Sequence, residues 1–118
     1  MENPQNTKFT LDEARQLIPW LREISEASEL KLIDLQRSPM DPELASEEAA
    51  TIIQHWAETV AKLGALPKQP FTVDFDNGTD FFCWEHPEDD LYYRHSYELG
   101  YQGRRPIADE MDHRLEET

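Results

Sequence analysis

The chain has 118 residues, of which 38% are hydrophobic, so its length fits a single domain with a modest core. Its 11 basic and 25 acidic residues give a formal net charge of −14, which repels phosphate backbones and argues against nucleic-acid binding. No apolar run is long enough to span a bilayer, and the start of the chain contains no apolar signal region. Because Cys83 is the one cysteine, an intrachain disulfide is impossible. We therefore predict a soluble cytoplasmic protein in which residues 1–118 form one domain, with no membrane partner.

The first predicted element is a long amphipathic helix. Thr10, followed three residues later by Glu13, forms a capping-box pattern at its start. Apolar residues then recur at helical spacing, which extends the helix to about Arg37. Pro19 interrupts this stretch and predicts a kink, because its ring displaces a backbone carbonyl; the alternative is a helix broken in two at Ile18.

A second amphipathic helix follows after a short connection. Two alternative starts are visible, Ser38-Pro39 and Asp41-Pro42, since each places a capping side chain before a proline at the first helical position. Gly64 is expected to end this helix. The pattern therefore predicts two long amphipathic helices that run in opposite directions.

The two helices form an antiparallel helical hairpin over residues 10–64. A two-helix hairpin cannot bury both sides of its apolar stripes, and Trp20 and Trp56 lie near those stripes. A small sheet covers only part of this surface. We therefore predict a homodimer, in which a second copy of the chain covers the rest.

The clearest local signal in the second half is Asn77-Gly78, placed between two alternating aromatic runs. This dipeptide predicts a two-residue hairpin turn, with Val73 opposite Phe82 and Thr72 opposite Cys83. The period of two then assigns side chains to two faces. The predicted core face carries Phe71, Val73, Phe75, Phe82 and Trp84, and the other face carries Thr72, Asp74, Phe81, Cys83 and Glu85.

A third strand is predicted from the stretch LYYRHSY, with Tyr93 and His95 on one face. The β-hairpin and this strand span residues 71–97, and residues 98–107 are predicted to be an ordered loop because of their glycines and proline. Residues 108–118 form an acidic tail. The predicted fold class is α+β, an antiparallel helical hairpin followed by a small three-stranded antiparallel β-sheet.

This order of elements resembles a bacterial family known as domain of unknown function 2203. The resemblance covers the chain from about Phe9 to Ile107. Its most specific parts are Cys83-Trp84, His95, Gly100-Tyr101, Gly103-Arg104 and Pro106. The resemblance implies the fold described above and carries no catalytic assignment.

Candidate ligand-binding residues lie in the stretch YYRHSYELGYQGRRPI. Arg104 and Arg105 stand side by side there in a strongly acidic chain, and a guanidinium group forms a planar fork that binds carboxylates or phosphates. Tyr101 offers a hydroxyl or a stacking face, and His95 exchanges a proton near neutral pH. These four residues are the predicted small-anion site. The alternative is that Arg104 is a structural clamp paired with one of the many carboxylates.

We predict a non-enzymatic module, acting as a homodimer, that binds a protein partner or a small anion, with no catalytic residue, metal or cofactor assigned. The alternatives are an enzyme using His95 and Arg104 and a metal-binding protein using Cys83 and His95. The spacing CWEH matches no standard zinc pattern. Asp74 lies on the predicted Cys83 face and would support a cysteine nucleophile, although a cysteine between aromatic residues is more typical of packing.

Overall fold

The computed structural model describes residues 7–107, which form two α-helices and an antiparallel sheet of five strands. The helices are α1 (Leu11–Gln36) and α2 (Pro42–Lys62). The strands are β1 (Leu66–Pro67), β2 (Thr72–Asp76), β3 (Phe81–Glu85), β4 (Tyr93–His95) and β5 (Arg105–Pro106), with a 3-10 helix at Gly100–Gly103. Each strand pairs with the next along the chain. Two helices followed by an antiparallel sheet confirm the predicted α+β class. Neither helix in this part of the chain is long and apolar enough to cross a membrane.

Helix α1 begins where the sequence predicted. The Thr10 hydroxyl accepts from the Glu13 amide at 3.1 Å, and the Glu13 carboxylate accepts from the Thr10 amide at 2.9 Å. Pro19 lies inside a continuous helix, so the alternative of a break at Ile18 is wrong. Ile18 and Leu21 are fully buried on either side of the proline, and burying each contributes about 1.5–3 kcal/mol. Together these residues offset the proline's cost of about 3 kcal/mol.

Of the two alternative starts for helix α2, the structure uses the second. The Asp41 carboxylate caps the helix by accepting from the Glu43 amide at 3.2 Å, whereas the Ser38 hydroxyl accepts from the Met40 amide within the connection. The helix ends before Gly64, whose φ of 91° lies in the left-handed region that favours glycine. This glycine also lets the chain turn from the helix toward the sheet.

The hydrophobic core lies between one face of the sheet and the adjacent ends of the two helices. Trp56 of α2 is fully buried there, and its indole N–H donates to the Ser25 hydroxyl of α1 at 2.9 Å. Beyond this bond the helical hairpin projects away from the sheet, and none of residues 26–55 is fully buried. The projection makes the molecule elongated, with extents of 61 × 34 × 25 Å.

The register of the β2–β3 hairpin differs from the prediction. Val73 pairs with Trp84 rather than with Phe82, because the connection has four residues, 77–80, instead of two. The Asn77 side-chain oxygen accepts from the amides of Thr79 and Asp80, which draws both residues into the loop. Since the partner shifts by two residues, every side chain keeps its predicted face.

The sheet has two strands more than predicted, so the three-stranded sheet is wrong. Strands β1 and β5 have two residues each, and each ends in a proline, Pro67 and Pro106. Such short edge strands show no alternation in the sequence, and proline is a signal against a strand. Strand β5 and the 3-10 helix lie within residues 98–107, which were predicted to be a loop. The predicted acidic tail, residues 108–118, lies outside the described residues.

Candidate functional site

The sheet face that points away from the helices carries the polar side chains of β2, β3 and β4. Asp74 lies directly opposite Cys83, and Cys83 lies directly opposite Tyr93. His95 follows two residues after Tyr93 on the same face, as the alternation predicted. Residues 96–104 then fold back over this face, where Tyr101 donates its hydroxyl to the Glu85 carboxylate at 2.9 Å.

A pocket of about 210 Å³ opens beside these side chains. Its walls come from the sheet face, from the connection between β1 and β2, and from the segment that follows β4. The residues that line it are Lys68, Gln69, Thr72, Asp74, Phe81, His95, Tyr97, Gly100 and Tyr101. Two of these, Asp74 and His95, are buried and titratable, so the pocket leads to the most polar part of the interior.

Asp74, Cys83 and His95 form a buried cluster beside the pocket. One ligand atom from each lies within 4.8 Å of the other two, although the residues come from three different strands. The relative exposures of the three residues are 3%, 0% and 2%. A carboxylate oxygen, a thiol sulfur and an imidazole nitrogen are the donor types that bind zinc and other transition metals.

Both ring nitrogens of His95 face oxygen atoms. Nδ1 lies 2.9 Å from the backbone carbonyl oxygen of Ser96, and Nε2 lies 3.0 Å from Oδ1 of Asp74. A neutral imidazole has one N–H, and when Nδ1–H donates to the carbonyl, a lone pair remains on Nε2. Three arrangements satisfy this geometry: a protonated imidazole paired with the carboxylate, a protonated carboxyl group that donates to Nε2, or a metal ion bound by both groups.

Burial raises the pKa of the Cys83 thiol to about 12, and the neighbouring Asp74 carboxylate acts in the same direction. Arg104 opposes this shift, because its Nε donates to the sulfur at 3.3 Å. The thiol is therefore protonated near neutral pH in the metal-free protein. A protonated, fully buried thiol is a poor nucleophile, which disfavours the cysteine-nucleophile alternative.

Arg104 is held by groups of the chain itself. Its Nη1 and Nη2 donate to the two Glu88 oxygens at 3.1 and 2.9 Å, and Nη2 also donates to the Cys83 carbonyl at 3.1 Å. Its guanidinium carbon lies 4.2 Å from the Tyr93 ring centroid and 5.0 Å from that of Tyr101. With a side chain only 14% exposed, Arg104 has the contacts of a structural clamp.

Arg105 lies on the opposite face of the sheet from the pocket, because it pairs with Arg94. Arg94 forms a bidentate pair with Asp80 at 2.9 Å for each bond, and one Arg105 nitrogen lies 3.6 Å from the same carboxylate. The Arg105 side chain is 59% exposed. Of the four predicted ligand-binding residues, His95 and Tyr101 line the pocket, Arg104 lies beside it, and Arg105 is separated from it by the sheet.

Sequence reasoning missed Lys68 and Glu88, which both lie in this region. Lys68 lines the pocket because β1 pairs with β2, and a two-residue strand gives no sequence signal for that placement. Glu88 lies in the turn between β3 and β4, where an acidic residue resembles any solvated turn residue. The alternation of β2 did place Asp74 on the Cys83 face, and the structure confirms that assignment.

Comparison with known proteins gives one result. The family model for an uncharacterized conserved protein, DUF2203, matches residues 27–107. No curated protein and no solved structure matched the chain.

Proposed function

This chain belongs to the DUF2203 family of uncharacterized conserved proteins, and we propose from the geometry of the site that it is a zinc-binding protein. The proposed ligands are Asp74, Cys83 and His95. The observation that carries the proposal is the convergence of three buried donor atoms, from three strands, within 4.8 Å of one another. The sequence had offered metal binding through Cys83 and His95 as an alternative, and the carboxylate supplies the third ligand.

The three ligand atoms, which lie within 4.8 Å of one another, would adjust their separations around a small metal ion. Zinc–ligand bonds place neighbouring ligand atoms of a tetrahedral site roughly 3.3–3.6 Å apart. His95 Nε2 and Asp74 Oδ1 are 3.0 Å apart, so they separate by a few tenths of an ångström when an ion lies between them. By accepting a hydrogen bond from Nδ1–H, the Ser96 carbonyl would fix the tautomer and the orientation of the imidazole ring, as such groups do for histidine ligands of metals.

The charges of the site also suit a divalent cation. Zinc deprotonates a coordinating thiol, so the Asp74 carboxylate and the Cys83 thiolate would together balance its two positive charges. The Arg104 guanidinium is already balanced by Glu88. The buried site would therefore be close to neutral, which keeps the cost of burial low.

A zinc ion held by three protein ligands retains one further coordination position, as catalytic zinc sites do. Asp74 and His95 both line the pocket, so this position would be reached from the pocket. The proposal assigns no reaction to the ion. A zinc–thiolate site built on a single cysteine fits a reducing cytoplasm, which is the compartment that the sequence predicts.

Zinc content tests the proposal directly. The full chain is freed of metal by chelation, incubated with zinc and dialysed, and metal is measured by mass spectrometry. We expect about one zinc ion per chain. Cys83→Ser, Asp74→Asn and His95→Gln should each weaken binding by more than the roughly 10–100-fold lost when only a hydrogen-bond partner of a ligand is removed.

The matched control is His55→Gln, because His55 is exposed on α2 and lies outside the cluster. It should bind zinc as the unmodified chain does. Circular dichroism of the metal-free variants shows whether each substitution preserves the fold. A folded, metal-free chain that takes up no zinc would contradict the proposal and leave Asp74 and His95 as a structural ion pair.

We also propose that the chain forms a homodimer through the projecting part of the helical hairpin. An open groove of about 450 Å³ runs between the two helices there. It is lined by Lys31, Asp34, Leu35, Glu48 and Ile52. Apolar side chains flanked by charges of both signs suit a two-fold interface, in which Lys31 of each copy faces Asp34 or Glu48 of the other.

A further inference from the structure

We propose that the pocket beside the Asp74–Cys83–His95 cluster binds a small organic monocarboxylate, whose carboxylate group occupies the open coordination position of the metal. This inference rests on the proposed zinc site and adds the class of ligand. Of the four residues predicted to bind a small anion, His95 and Tyr101 line this pocket, whereas Arg104 is paired with Glu88 and Arg105 lies on the other face of the sheet.

The volume of the pocket limits the size of the ligand. At about 210 Å³ it is smaller than the roughly 300–1,000 Å³ of sites that hold drug-sized molecules. A carboxylate group with a single ring or a short chain fits this space.

The charges around the pocket favour an anion only when the metal is bound. Without a metal, a ligand carboxylate would face the buried carboxylate of Asp74. A divalent cation reverses the sign of the charge at that point. Lys68 is the basic side chain that lines the pocket, and its exposed ammonium group adds attraction at the rim.

The aromatic walls favour an apolar body on the ligand. The rings of Phe81 and Tyr97 meet edge to face with centroids 4.8 Å apart. The Tyr97 hydroxyl donates to Asp76 at 2.7 Å, and the Tyr101 hydroxyl donates to Glu85 at 2.9 Å. Because both protons are engaged with the chain, these tyrosines offer the ligand mainly ring surface.

Calorimetric titration of the zinc-loaded full chain with benzoate tests the inference, with benzamide as a neutral ligand of the same shape. We expect saturable binding of benzoate, no binding of benzamide, and benzoate binding that is roughly 5–150-fold weaker without zinc. Lys68→Gln should weaken benzoate binding about 3- to 10-fold. Lys62→Gln, which removes an exposed lysine from the end of α2, is the matched control and should have no effect.

Cobalt-loaded protein supplies a second readout, since a carboxylate that binds the ion changes the visible absorption bands of cobalt. The expected result is a benzoate-dependent change with the same saturation curve as the heat. A chain that binds zinc and cobalt normally but gives neither heat nor a spectral change with benzoate would overturn this inference and leave the zinc site intact. Equal binding of benzamide would also overturn it. Failure to bind either metal would instead overturn the proposed function.

Discussion

At the scale of single residues, Arg104 connects three parts of the chain. Its guanidinium group joins the backbone and sulfur of Cys83 to the carboxylate of Glu88. Glu88 in turn accepts from the Glu85 amide at 2.8 Å. This single side chain therefore fixes the turn between β3 and β4 and supports the strand that carries the thiol.

We predict that Arg104→Ala lowers the free energy of unfolding by about 2–3 kcal/mol, because the partly buried Glu88 carboxylate and the Cys83 carbonyl lose the donors that Arg104 supplies. Arg104→Lys should recover only part of this loss, since an ammonium group cannot form the two-pronged contact. Arg105→Ala is the neighbouring control, and with an exposed side chain it should cost less than about 1 kcal/mol. Urea unfolding measures all three values.

Equal stability of the Arg104→Ala and Arg105→Ala variants would show that Arg104 is not a clamp. A different outcome would identify Arg104 as an anion ligand. In that case phosphate or citrate stabilises the unmodified chain but not Arg104→Ala, and the two proteins have the same free energy of unfolding when no anion is added.

At the scale of secondary-structure elements, the pair Arg94–Asp80 joins β4 to the loop between β2 and β3. Burial raises the pKa of Asp80, and the hydrogen bonds from Arg94 and Asn77 more than offset this, so the pKa lies below its usual 3.8. A lowered folded-state pKa contributes stability at pH values above the unfolded-state pKa. That contribution is lost as the pH falls through the folded-state value.

We predict that Arg94→Gln costs about 2–3 kcal/mol at neutral pH, because the side chains of this ion pair are only 14% and 9% exposed. The difference from the unmodified chain should shrink as the pH falls through 3.8 toward the lowered pKa of Asp80. Unfolding curves at a series of pH values, repeated with Asp80→Asn and the double variant, isolate the coupling of the pair. A difference that does not vary with pH would assign the cost to the packing of Arg94 on Phe82 instead.

The sequence predicted the faces of the strands correctly but not the turn between them. Period-two alternation placed Asp74 and Cys83 on one face, and that assignment survived an error in the turn because the register shifted by an even number of residues. The turn itself was wrong because Asn77 bonds to the two residues after Gly78, a contact that the Asn-Gly pair does not specify. The contacts of Lys68 and Glu88 depend on tertiary packing, so no local pattern indicated them.

At the scale of the whole molecule, the helical hairpin is longer than the sheet can cover. Helix α1 has 26 residues, and none of its side chains after Ser25 is fully buried. In the proposed homodimer, the groove that contains Leu35 and Ile52 is covered by the same surface of a second copy. The sequence predicted a homodimer from the apolar stripes of the two helices, and this remains a prediction.

We predict dimers at tens of micromolar by sedimentation equilibrium. Leu35→Glu should shift the equilibrium to monomer, because it places a charge in the proposed interface without its partner. Leu44→Glu is the control: Leu44 is 54% exposed and lies outside the groove, so this variant should dimerise normally. Monomer alone for the unmodified chain would contradict the assembly.

Because residues 26–55 have no fully buried side chain, we expect the far end of the helical hairpin to unfold locally more easily than the core. We expect the Trp56–Ser25 bond to mark a boundary in local stability, because the helical turns beyond it can separate from each other without disturbing the core. Backbone amides there should exchange with deuterium through local fraying, and those of β2 and β3 should exchange only on global unfolding. In a dimer this fraying is coupled to association, so the exchange rate at the far end of the hairpin falls as the protein concentration rises.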